Sequence, residues 1–136
     1  MVKVIMGLKG SGKTKKLIEL IKEAETAENG NVVCIERKPQ LTYDIPYSVR
    51  LIAASDYNLV SYDVLKGFIS GLHAGNYDIT HIFIDNIFKI VDRTYDADAE
   101  EFVKWCVAFS DKEKVNFTMT LSANVELASD EIKQLF

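Results

Sequence analysis

Arginine is scarce in this chain: Arg37, Arg50 and Arg93 are the only three among 136 residues. Enzymes that pass a phosphoryl group to a second substrate use several arginines to neutralise the moving group, so a nucleotide kinase is disfavoured. Cysteine is scarcer still. Cys34 and Cys106 each sit inside an apolar run, with no Cys-x-x-Cys pair. That excludes a cysteine zinc site or dithiol redox centre and predicts two reduced core thiols. Both prolines, Pro39 and Pro46, fall between Lys38 and Tyr47, which reads as a surface loop. No apolar run approaches membrane-spanning length, and the opening Met1-Val2-Lys3-Val4-Ile5-Met6 lacks the layout of a signal peptide. A cytoplasmic protein without a membrane partner is expected. Positive charge is also in deficit, with a net charge of -4 and a pI near 5.2. No global field draws nucleic-acid backbones in, so a nucleic-acid partner is disfavoured.

The patterning that is present alternates between two periods. Val2–Met6, Asn31–Glu36, Val49–Ala53, His81–Ile84 and Val115–Leu121 are short apolar runs of strand length, the last interrupted by threonines. Leu17, Leu20, Ile21 and Ala24 mark one buried helical stripe, stopped by Asn29-Gly30. Tyr62, Leu65, Phe68, Ile69 and Leu72 mark a second, and Ala99, Phe102, Val103, Cys106 and Val107 a third. Asp130 to Phe136 reads as a last short helix capped by Ser129. Buried strands separated by amphipathic helices predict an α/β fold of three layers around a mainly parallel sheet of about five strands. Residues 1–136 are read as one domain, the size of a single core.

The chemistry concentrates between the first strand and the first helix. Gly7-Leu8-Lys9-Gly10-Ser11-Gly12-Lys13-Thr14 satisfies G-x-x-x-x-G-K-[ST] in full. At average residue usage that combination arises by chance at roughly one position in thirty thousand, and here it also follows a strand and opens a helix. The glycines let backbone N–H groups turn inward around a phosphate, and the helix beginning at Lys13 adds its positive end. Lys13 is placed to reach the β- and γ-phosphates and the Thr14 hydroxyl to ligate Mg²⁺. Ile82-Phe83-Ile84-Asp85 supplies the complementary element, an apolar strand ending in one carboxylate for the metal.

These two elements resemble the Walker A and Walker B motifs of P-loop NTPases. The segment from Asp78 to Asn124 is most similar in outline to the RecA-like and thymidine-kinase-like branch, in the form of a small stand-alone bacterial-type ATPase. The resemblance implies a P-loop NTPase fold with Mg·ATP over the carboxyl ends of a parallel sheet. The metal is then held by Thr14 and Asp85, and the phosphates by residues 7–14 together with Lys15. One departure matters. Asn86 stands where many members carry the catalytic glutamate, and an amide orients water but takes no proton from it. Glu36, at the end of the second strand, matches the position where RecA-like ATPases keep a catalytic glutamate, and Ser122 and Asn124 match their polar γ-phosphate sensor.

ATP is favoured over GTP because the Asn-Lys-x-Asp string of guanine-specific GTPases is absent. The expected function is a small ATP-binding protein with slow Mg²⁺-dependent hydrolysis. Its competitors are a non-catalytic nucleotide sensor that acts through a protein partner and a kinase for a small molecule or nucleoside. Arg93, shortly after Asp85, is a candidate to reach a neighbour's γ-phosphate. Lys15 and Lys16 are expected on the solvent face of the first helix, and His73 and His81 in core or helix-end roles. Tyr43, Tyr47 and Tyr57 decorate loops where one of them could stack on a base. A fuller RecA-like core would add a strand beyond the P-loop strand. Without it, the strand from Val2 to Met6 is expected near a sheet edge, where it invites pairing with a second copy.

Overall fold

A computed structural model describes residues 1–136. Five strands, β1 (Val2–Gly7), β2 (Asn31–Glu36), β3 (Arg50–Ala53), β4 (Ile79–Ile84) and β5 (Asn116–Ser122), form one sheet. All pairings are parallel and the strand order is β1-β5-β4-β2-β3. The helices are α1 (Lys13–Ala27), α2 (Tyr62–Gly75), α3 (Ile87–Val91), α4 (Ala97–Glu113) and α5 (Asp130–Lys133). The α/β class and the five-stranded parallel sheet are as the sequence pattern predicts.

The three layers follow from the two-residue period of the strands. Along β2, Val32 and Cys34 turn to one face, where they meet Leu17, Ile21 and Ala24 of α1, while Val33 and Ile35 turn to the other. Phe83 of β4 joins the α1 face; Ile82 and Ile84 join the opposite face, packed with Leu65 and Ile69 of α2 and Phe102 and Val103 of α4. Both faces are therefore apolar, which is why these strands read as continuous hydrophobic runs rather than alternating ones. Cys34 and Cys106 are fully buried free thiols, and burial pushes both well above the ordinary thiol range. A thiol so held stays protonated and unreactive.

The threonines of β5 are buried hydrogen-bonding positions rather than weak points. Thr118 meets His81 Nε2 at 2.8 Å, while His81 Nδ1 lies 2.7 Å from Glu28. Burial lowers the His81 pKa, and the pair with Glu28 opposes that. His73 lies 3.0 Å from Glu113. Both histidines thus occupy core or helix-end positions in carboxylate pairs.

Element boundaries differ in places. Val49 stays outside β3 because its N–H donates to Pro46 O in a turn. The last helix is one turn long, and the chain beyond it meets β1 through one bond, in which Val4 N–H donates to Leu135 O. β1 does stand at the sheet edge, and this bond covers part of it. Helix α3 is an addition the periodicity does not mark, since five residues are too few to show a stripe. No helix is long and apolar enough to cross a membrane.

Candidate functional site

In an all-parallel sheet the carboxyl ends of the strands share one side, and the loops leaving them build the site there. β1 delivers residues 7–14, β2 delivers Glu36, β4 delivers Asp85 and Asn86, and β5 delivers Thr120 and Ser122. Two adjoining polar cavities occupy this end, one of about 370 Å³ and one of about 140 Å³, and no hydrophobic residue lines either.

The glycine loop takes its shape from two left-handed residues, Gly10 and Gly12, both at φ +85°. An L side chain is strained in that conformation, so glycine is the residue that closes the turn without cost. Gly12 caps α1 with no side-chain acceptor, which leaves the first-turn N–H groups of a 15-residue helix free of a capping side chain. Ser11 N–H donates to Leu8 O at 3.1 Å, and Lys13 Nζ donates to the same carbonyl at 2.9 Å and to Ser11 Oγ at 3.4 Å. The ammonium is thereby drawn across its own loop. Burial lowers the Lys13 pKa and the Asp85 carboxylate opposes the shift.

Lys9, Gly10, Gly12, Lys13, Thr14 and Lys15 line the larger cavity, whereas Gly7, Leu8 and Ser11 shape the loop behind it. Asp85, Asn86, Lys89, Thr120 and Ser122 complete the wall. Four lysines face one carboxylate, so this cavity is strongly cationic although the chain as a whole is acidic.

Asp85 is tied down on two sides. Thr14 Oγ1 lies 3.5 Å from its Oδ1, and Thr120 donates to the same oxygen at 2.9 Å. Thr120 Oγ1 in turn accepts the Asn86 N–H at 2.7 Å, so one β5 hydroxyl orients the end of β4. The structure contains no group of three or more His, Cys, Asp or Glu side chains able to cage a metal. One hydroxyl beside one carboxylate is the donor set Mg²⁺ accepts when phosphate oxygens and waters fill its other positions, so the residues fit that ion.

Glu36 lies in the smaller cavity with Thr14, Asp85, Asn86 and Lys89, all four shared with the larger one. It is only 3% exposed. One oxygen accepts the Gln40 N–H at 2.9 Å, and the other is buried without a partner. Burial raises its pKa, with the Gln40 and Leu41 N–H groups pulling the other way. Asn86 adopts a left-handed conformation (φ 56°), and its side-chain oxygen is also buried and unpaired.

The other sequence candidates separate cleanly. Ser122 reaches the cavity; Asn124 does not, because its side chain accepts the Glu126 N–H at 3.0 Å and caps a short turn. Arg93 is held by Asp96 and by Asp98 (2.9 Å) over the Tyr62 ring, away from the cavity. Lys16 and the exposed Tyr43, Tyr47 and Tyr57 line neither cavity. Sequence reasoning missed Thr120 and Lys89. The signal for Lys89 was a single cation inside the apolar string Ile87-Phe88-Lys89-Ile90-Val91.

No family model matches this sequence, and no curated protein sequence matches it. Among solved structures, its fold is similar to that of the flagellar accessory protein FlaH from Methanocaldococcus jannaschii. The TM-score is 0.56 at 15% identity, with 98% of this chain aligned. The alignment spans 65% of that protein's length. At this identity the likeness shows the fold alone, an α/β fold around a parallel sheet.

Proposed function

We propose that this chain binds Mg·ATP at the carboxyl end of its sheet and hydrolyses it slowly. The observation that carries the reading is the meeting, in two adjoining polar cavities that share Thr14 and Asp85, of the glycine loop in the larger and the buried Glu36 carboxylate in the smaller. In this reading the loop N–H groups and Lys13 hold the β- and γ-phosphates, and Lys9 and Lys15 add positive charge at the loop's flanks. Thr14 and Asp85 hold Mg²⁺, with Thr120 fixing the carboxylate. When bound, the metal neutralises charge on the β- and γ-phosphate oxygens.

Glu36 acts as general base. Its carboxylate takes a proton from water as the water oxygen bonds to the γ-phosphorus and the bond from that phosphorus to the β-bridging oxygen breaks. Asn86 and Ser122 orient the water and the departing phosphate. With no carboxylate directly after Asp85 and no arginine in either wall of the larger cavity, turnover is expected well below the roughly 10 per second of a median enzyme.

The experiment is phosphate release from ATP by the purified chain, with and without excess EDTA. Release should stop with the chelator and resume when Mg²⁺ is restored. Release that ignores the chelator contradicts the metal role of Thr14 and Asp85.

Asn86 in place of an acid favours one further reading, a non-catalytic switch whose nucleotide state is sensed by a protein partner. The likeness in fold to a flagellar accessory protein is compatible with such a partner. The kinase reading has no specific observation in its favour.

A further inference from the structure

Lys89 differs from the other cations at this end of the molecule in the backbone that carries it. It is the one exposed residue of α3, whose remaining members Ile87, Phe88, Ile90 and Val91 are all buried. The helix packs on β5, and its start is pinned through the Asn86 N–H to Thr120, the hydroxyl that also holds Asp85. Four apolar anchors in five residues thus fix the backbone that presents this side chain. No salt bridge or side-chain hydrogen bond engages its ammonium, a freedom it shares with Lys9, Lys15, Arg37 and Lys38 but not with Lys13, which is bonded within its loop.

Its position is equally distinctive. Lys89 lines both polar cavities, in company with Thr14, Asp85 and Asn86. Lys9, Lys13 and Lys15 line only the larger one, on the loop side; Arg37 and Lys38 line only the smaller one, on the Glu36 side. If the loop holds the β-phosphate and Glu36 holds the attacking water, the γ-phosphate lies between them, at the residues the two cavities share. The single cation among those shared residues is Lys89.

We infer that Lys89 is the in-chain reader of the γ-phosphate: its ammonium pairs with that group in ATP and has no counterpart contact in ADP. This rests on the reading of the glycine loop as a phosphate site. It also assigns to this chain's own lysine the charge that a neighbouring subunit's arginine would otherwise supply. Because α3 is anchored on β5 and follows Asp85 directly, the same contact couples the presence of the γ-phosphate to the segment behind the metal carboxylate.

The test is a pair of calorimetric titrations, with the Mg²⁺ complex of the β,γ-imido analogue of ATP and with Mg·ADP. They are run on the unmodified chain, Lys89→Ala, Lys89→Arg and, as a charge control outside the cavities, Lys16→Ala. Lys89→Ala should weaken the triphosphate analogue about tenfold, the scale of one charge-assisted hydrogen bond, and change ADP affinity less than about twofold. Lys89→Arg should recover most of the loss, and Lys16→Ala should alter neither affinity. Equal weakening of both ligands, no change for either, or the same bias from Lys16→Ala would overturn the assignment while leaving the phosphate loop intact. Failure of the unmodified chain to bind either ligand would instead bring down the phosphate-loop reading, and this inference with it.

Discussion

Replacing Glu36 by glutamine should lower ATP turnover by about 10² to 10⁴, the range a positioned general base contributes, while leaving Mg·ATP affinity within a few-fold of the unmodified chain. The substitution keeps the shape of the side chain and the oxygen that accepts the Gln40 N–H. It replaces the other oxygen by an amide NH₂, which takes no proton from water. Burial holds the Glu36 carboxyl above the ordinary carboxylate range, and two consequences follow with definite sign. Turnover needs the ionised form, so the rate should fall on the acid side at a pH above the roughly 4.3 of a free glutamate. Stability runs the other way. The fold favours the protonated carboxyl, so this group's stabilising contribution is present at low pH and is lost as pH rises through the raised value. At neutral pH the neutral Glu36→Gln variant should therefore unfold at a temperature no lower than the unmodified chain. Phosphate-release assays across pH, beside thermal unfolding, read both. Unchanged turnover in Glu36→Gln would remove the base from this residue and favour the non-catalytic switch.

Lys13→Ala should weaken Mg·ATP binding by about 10² or more, equivalent to about 3 kcal/mol. The ammonium lies within hydrogen-bond reach of the loop's own Leu8 carbonyl, on the wall of a cavity that phosphate would enter. Removing it deletes charge-assisted bonds to two phosphates at once. It also leaves the Leu8 carbonyl without its side-chain donor, although the Ser11 N–H still bonds it. The loop should therefore keep its turn, with Gly10 and Gly12 unaltered, and circular dichroism should match the unmodified chain. A variant that binds ATP as before would mean that the loop is not the phosphate site.

Much of this arrangement is legible in the sequence because its signals are local. The glycine loop is a contiguous string whose spacing is set by one turn and one helix start. Asp85 is found by where an apolar run ends. Glu36 needs only the end of β2. What the sequence hides is long-range pairing. Thr120 looks like a polar interruption of a strand until the register of β4 against β5 brings its hydroxyl to Asp85, 35 residues away. Thr118 is hidden in the same way by His81.

Lys89 is hidden for a different reason. A five-residue helix has no periodicity to read, and the left-handed Asn86 that redirects the chain into it carries no distinctive local pattern. Asn124 shows the converse error: its place after β5 suits a sensor, but an asparagine just before a turn caps its own backbone first. The strand order is also beyond periodicity, which specifies that strands are buried but not which neighbours they take.

The most direct test of the central claim is a calorimetric titration of Mg·ATP into the unmodified chain. Saturable binding at one site per chain, in the micromolar range and lost when EDTA removes the metal, is the predicted result. The absence of any binding heat at protein concentrations well above that range, with the fold intact by circular dichroism, would contradict it.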